Sequence, residues 1–157
     1  DAVVNYLNSG SYITKKSKKT ISNAMDVGNP SNFLRIQKIF NNDLIKLKKI
    51  MNGFSFTDNE TEKAIDEIFN KTGYIAEPHG AIGFLGLKKF LDLQKDSKKY
   101  QGIFLETAHP IKFSNSVEKI INTKIEIPKR LYSLLKKEKI SSPIIDYREL
   151  KSFLHSI

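Results

Sequence analysis

Three short segments of small and polar residues, each opening onto a run with helical periodicity, hold the side chains best suited to chemistry: Ser22 to Asn32, Glu77 to Gly80 and Glu106 to Pro110. Helix starts expose free backbone amides, which favour anionic groups. Thr107 and His109 follow the apolar run Ile103-Phe104-Leu105, which reads as a buried parallel strand leaving its sheet. In open α/β sheets ligands collect at the carboxyl ends of strands, so both residues stand where chemistry is expected. A plainer role is also open: Thr107 or Ser114 capping the next helix. Histidine suits proton transfer near neutral pH, but His79 could equally be a helix-start residue bonded to backbone, and His109 a buried orienting group.

Other chemistries lack their residues. The chain has no cysteine, so disulfides, thiolate nucleophiles and cysteine-based zinc sites are absent. Its 3 histidines have no carboxylates at metal-ligand spacing. No Gly-x-Ser-x-Gly elbow and no Gly-Lys-Ser or Gly-Lys-Thr phosphate loop occurs. Gly80, Gly83 and Gly86 do not match a dinucleotide fingerprint, which needs two glycines one residue apart; they form one helix face suited to close approach by a backbone or a flat ligand.

The elements that must hold these segments are mostly helical. Ala2 to Leu7 reads as an amphipathic helix, Asn8 to Ser11 as a turn and Tyr12 to Lys19 as a polar connector. Ile21, Met25 and Val27 predict that Ser22 to Asn32 packs inside. Pro30 is expected as a first helical residue capped by Asn29, with Phe33, Ile36 and Phe40 on one face. Leu44, Leu47 and Met51 continue the stripe after Asn41-Asn42-Asp43. Thr57 and Glu60 form a capping box for a helix ending at Gly73. Tyr74 to Ala76 reads as a short strand, and the helix after it is apolar nearly all round, which predicts burial on several sides. Val117, Ile120 and Ile121 mark a helix, Lys124 to Ile127 an edge strand, and Leu131, Leu134 and Leu135 another helix. Asp146 and Glu149 cap a last helix with Leu150, Phe153 and Leu154 inward. The fold class is α/β, helix-rich with a few short parallel strands.

With 157 residues and 39% hydrophobic content the chain fits one globular domain. It begins at Asp1 without methionine, which suggests a piece of something longer. No apolar run approaches ~20 residues and no signal peptide is evident, so a cytoplasmic location is expected, with no membrane partner. The formal charge of +9 invites a nucleic-acid reading. Of 26 basic residues, however, only Arg35, Arg130 and Arg148 are arginine, the residue favoured for bidentate base and phosphate recognition. The lysines are spread along the chain as solvated faces, and a basic nucleic-acid-binding module remains the alternative.

The three polar segments belong to longer motifs. Ser22-Asn23-Ala24-Met25-Asp26-Val27-Gly28-Asn29-Pro30-Ser31-Asn32-Phe33, Asp58-x-Glu60-Thr61, Thr72-Gly73-Tyr74-Ile75-Ala76-Glu77-Pro78-His79-Gly80-Ala81, Leu105-Glu106-Thr107-Ala108-His109-Pro110-x-Lys112-Phe113 and Ile127-Pro128-Lys129 together resemble threonine synthase, in order and with fitting gaps. The resemblance runs along nearly the whole chain but only to the family's C-terminal portion.

It implies a C-terminal part of a tryptophan-synthase-β-like, pyridoxal-phosphate-dependent fold, with residues 123–157 as a C-terminal extension packing on the rest. It also implies that the parent protein is a lyase of threonine biosynthesis, converting O-phospho-L-homoserine and water to L-threonine and phosphate. The cofactor, pyridoxal 5'-phosphate (PLP), is the electron sink. The family's Schiff-base lysine lies in the N-terminal part, so no catalytic lysine is assigned in this chain and the fragment alone is expected to be inactive. The implied partners are the substrate and the N-terminal part of the same enzyme. By resemblance Thr107 hydrogen-bonds the ring nitrogen, and Ala24 and Gly28 lie beside the cofactor. His79 and His109 are candidate active-site neighbours. Arg35 and Lys112 are candidate partners for substrate phosphate.

Overall fold

The helix that carries the core starts at a reciprocal cap. Thr57 Oγ1 accepts from the Glu60 N–H at 3.3 Å, and the Glu60 carboxylate accepts from the Thr57 N–H at 2.7 Å, so each satisfies an orphan donor of the first turn. The computed structural model describes residues 1–23 and 26–157, Ser97 by its backbone alone. These form two compact units, Asp1–Ile125 and Glu126–Ile157.

The first unit contains α1 (Ala2–Ser9), α2 (Phe33–Ile39), α3 (Leu44–Ile50), α4 (Asp58–Thr72), α5 (Pro78–Asp92) and α6 (Ser114–Ile121). Two apolar clusters hold it. Tyr6 and Leu7 of α1, Phe33 of α2 and Leu47 of α3 are buried together, and Tyr12 stacks on Phe33 with ring centroids 5.5 Å apart. Ala64 and Ile65 of α4 pack with Ala81 of α5, with Phe113, with Val117 and Ile121 of α6, and with Ile125. Gly73, at φ 73°, ends α4 in the left-handed region that glycine enters without steric cost. The second unit contains α7 (Tyr132–Leu135) and α8 (Tyr147–Ser156); Asp146 caps α8 by accepting from the Glu149 N–H at 2.9 Å, and Glu149 accepts in turn from the Ile145 N–H.

Several expectations are corrected. No strand occurs among the described residues. Tyr74 to Ala76 and Ile103 to Thr107 run without helix or ladder, since a strand exists only through a partner's hydrogen bonds and neither stretch has them. Lys124 to Ile127 likewise has no ladder among the described residues, and the Ile125 N–H goes to the Glu118 carboxylate at 3.1 Å. Pro30 does not open α2; its carbonyl accepts from the Phe33 N–H in a turn, and the helix starts three residues later. Val27 is exposed rather than packed inside, and Met25 and Ala24 lie outside the described residues. The apolar residues of α5 from Ile82 to Leu91 are only half-buried, and Leu150, Phe153 and Leu154 of α8 are exposed.

Ile65 has 0% exposure, so Ile65→Ala leaves a cavity and lowers the unfolding free energy by about 2–5 kcal/mol, whereas Ile39→Ala, at a site 74% exposed, stays within about 0.5 kcal/mol. Urea denaturation of the two variants checks the difference.

Candidate functional site

Glu77 stands immediately before Pro78, whose fixed φ suits the first helical position and whose missing N–H leaves α5 one orphan donor fewer. The Glu77 side chain folds back over the helix start. Its Oε1 accepts from the Gly80 N–H at 3.1 Å, and its Oε2 accepts from the His79 N–H at 2.9 Å. The same carboxylate reaches a second part of the chain. Oε1 accepts from the Thr107 hydroxyl at 2.9 Å and from the Thr107 N–H at 3.3 Å, and Oε2 contacts His79 Nδ1 at 2.6 Å. Glu77 has 0% exposure.

Burial opposes its charge, but the N–H and ring of His79 and the hydroxyl and N–H of Thr107 outweigh it and hold the carboxyl below the ordinary glutamate range. The positive end of α5 favours the same ionised state. An ionised Glu77 requires the proton of His79 on Nδ1, which leaves Nε2 buried with no partner among the described residues.

Glu106 lies beside this cluster. Its Oε2 accepts from the Glu77 N–H at 3.3 Å, while Oε1 is buried and has no partner among the described residues. Burial pushes its carboxyl up; the Glu77 N–H opposes that, and the Glu77 charge adds to it. Gly80 leaves room for this carboxyl: a Cβ at that position would fall on it, and the Glu106 side chain would have to shift. At Gly83 a Cβ would meet Phe104 Cβ at 3.6 Å, an ordinary contact that does not require glycine. Of the three glycines on this face of α5, only Gly80 meets a neighbouring segment closely enough for a side chain to obstruct it.

Thr107 caps nothing: its hydroxyl goes to Glu77, and α6 has no side-chain cap from Ser114 or any other residue. His109 does the capping, accepting from the Ile111 N–H at 3.2 Å on Nδ1 at the start of a 3-10 turn, Pro110–Phe113; it is exposed rather than a buried orienting group. His79 meets Phe113 edge-on at 5.3 Å. His79 and Thr107 are thus brought together through Glu77. Arg35 on α2 and Lys112 on the 3-10 turn are exposed, and no described hydrogen bond joins either to this cluster.

Gly28 has no described hydrogen bond to this cluster; it lines an open cavity of about 760 Å³, with Lys15, Lys16, Lys18, Lys19, Thr20 and Asp26. Its carbonyl accepts from the Lys15 N–H at 3.2 Å, and a Cβ there would collide with the Lys15 carbonyl oxygen. The lysines between 15 and 19 are exposed, as expected, along this open concave surface. Residue-by-residue reasoning missed Glu77 and Glu106. The Glu-Pro sequence was a signal for the first; an acid after three apolar strand-like residues signals nothing so specific.

Because Glu77 gains protective hydrogen bonds, its contribution to stability is present above the ordinary glutamate pKa of 4.5 and is lost as pH falls through its depressed folded value. Glu106 has the opposite sign: its raised pKa costs stability as pH rises above 4.5. Glu106→Gln is therefore expected to raise the denaturation midpoint at neutral pH and not below 4.5, while Glu77→Gln lowers it at neutral pH and flattens the acid limb. Midpoints measured across this range check both signs.

Comparison with known proteins places the whole arrangement. The family model of the threonine synthase C-terminal region matches residues 81–153. The threonine synthase of Buchnera aphidicola from Acyrthosiphon pisum is 41% identical over 155 residues, covering 98% of this chain and 34% of the relative. The crystal structure of Escherichia coli threonine synthase superposes with a TM-score of 0.80 at 30% identity, over 99% of this chain and 35% of that one. The PLP-bound threonine synthase of Brucella melitensis shares the fold at a TM-score of 0.63 and 22% identity, over 99% of this chain and 38% of that one. The chain spans about a third of the length of the relatives it matches. It belongs to the threonine synthase family and corresponds to the C-terminal portion of its members.

Proposed function

We propose that this chain forms one wall of the PLP site of a threonine synthase, a protein that converts O-phospho-L-homoserine and water to L-threonine and phosphate. The observation that carries the reading is the hydroxyl of Thr107, oriented at the end of an extended stretch by a buried carboxylate and standing inside one of the motifs that resemble the family. The residues present fit such a cofactor: the Thr107 hydroxyl, already bonded once to Glu77, keeps lone pairs for a second partner on a residue that is otherwise exposed. When bound, PLP supplies the electron sink for loss of the α-proton and of phosphate. In this reading Thr107 would hold the ring nitrogen, and Ala24 and Gly28 would lie beside the cofactor. His79 and His109 are its neighbours, and Arg35 and Lys112 serve substrate phosphate.

The same reading supplies the missing partner for the extended stretches. Ile103 is 86% and Leu105 74% exposed, a large apolar surface for residues that read as a buried strand. We assign this edge, with Tyr74 to Ala76, to a parallel sheet completed by the remainder of the same protein, and residues 123–157 to a C-terminal extension of the cofactor-binding region. A nucleic-acid-binding role draws no support from the relatives found.

In the full-length protein, Thr107→Val is expected to weaken PLP retention about ten- to a hundredfold by leaving a buried polar partner unmet, with Thr107→Ser close to the parent. Cofactor titration followed by absorbance reads the effect, and unchanged affinity in the valine variant would remove Thr107 from the site. The 157-residue chain alone, mixed with PLP and O-phosphohomoserine, is expected to release no phosphate; steady release would show that the chain needs no further wall.

A further inference from the structure

We infer that the apolar face of α8 is a docking surface for the portion of the same protein that precedes residue 1, so that α8 fastens this C-terminal wall to the rest of the molecule. The inference rests on the reading that the chain is one wall of a longer protein. It follows from what the unit Glu126–Ile157 lacks. No residue of that unit is buried, so it has no core of its own. Stretches below about 40 residues seldom fold without a disulfide, a metal or a partner surface. The protein has no cysteine, and no group of metal-ligating side chains occurs among the described residues. A partner surface remains.

The helix itself is well specified. Asp146 accepts from the Glu149 N–H at 2.9 Å and Glu149 from the Ile145 N–H at 2.8 Å, so its start is capped from both sides. Tyr147, Leu150, Phe153 and Leu154 share one face, with Ile157 just beyond, while Arg148, Lys151 and His155 take the other. A helix of 10 residues is marginal alone in water and draws its stability from burying such a face. Here the face is open: Tyr147 is 75% and Leu154 58% exposed.

Area and tethering select the cover. The helix is about 15 Å long and ~10 Å wide, so one face offers on the order of 300 Å². A stable pairing of two copies needs about 800 Å² from each partner. It also loses translational freedom, which a cover on the same polypeptide does not. Such a cover has ample chain to come from. This chain spans 34% of the Buchnera aphidicola relative and 35% of the Escherichia coli structure, and 99% of it takes part in that structural likeness. The match is to the family's C-terminal region, so the remaining length lies on the N-terminal side.

The test uses the full-length protein with the photo-crosslinker p-benzoylphenylalanine in place of Phe153. Irradiation is expected to join position 153 to residues that precede residue 1 in the same molecule, in a product with the mass of one chain. The same probe in place of Lys151, on the opposite face, is expected to join nothing there. A product of twice the chain mass overturns the inference in favour of a second copy, and a cross-link confined to residues 1–125 overturns it in favour of the first unit. Amide exchange gives a second readout: the α8 amides of the parent are expected to exchange about a hundredfold more slowly than those of an open helix, a protection that Leu150→Glu with Phe153→Glu removes and Lys151→Glu leaves. Freely exchanging α8 amides in a folded parent that releases phosphate from O-phosphohomoserine overturn the docking and leave the one-wall reading intact. The expected cross-link in a parent without that activity supports the docking and overturns the functional reading alone.

Discussion

A single buried carboxylate holds the site together. Glu77 caps the start of α5 through the His79 and Gly80 amides and, with the same two oxygens, ties down Thr107 thirty residues later in the chain. Burying a charge is costly unless it is met by donors, and here the donors come from two different segments. The cap, the histidine tautomer and the orientation of the Thr107 hydroxyl are therefore one arrangement rather than three. Gly80 belongs to it for the converse reason: its missing side chain leaves room for Glu106.

The second carboxylate gives the cluster its asymmetry. Glu77 is met by donors on both oxygens, whereas Glu106 receives one N–H and keeps the other oxygen buried without a partner among the described residues. Two acids in contact with different hydrogen-bond supplies separate in pKa, one down and one up. The same stretch combines an unmet buried oxygen on Glu106 with exposed apolar residues, Ile103 and Leu105.

Helices with local signals were legible in the sequence. The Thr57–Glu60 box, Gly73 and the Asp146–Glu149 pair carry their own caps, and the stripes through Phe33, Leu47, Ile65 and Val117 point to the core that forms. What failed were elements whose state depends on something distant. Ile103 to Thr107 has a strand's composition but no ladder partner, and α5 has an all-round apolar surface of which half stays open. The place of Thr107 at the end of an extended stretch was legible from the apolar run before it. Its direct partner was not, because a pairing across thirty residues leaves no periodic trace, and a glutamate before proline reads as a cap and nothing more.

The ionisation of Glu77 tests this picture most directly. In protein labelled with 13C at glutamate, the Glu77 side-chain carboxyl resonance should titrate with a midpoint below the ordinary 4.5, and Thr107→Val should move that midpoint upward. A midpoint at or above the ordinary value, or one indifferent to Thr107, would contradict the claim that a single ionised carboxylate joins the α5 start to the Thr107 hydroxyl.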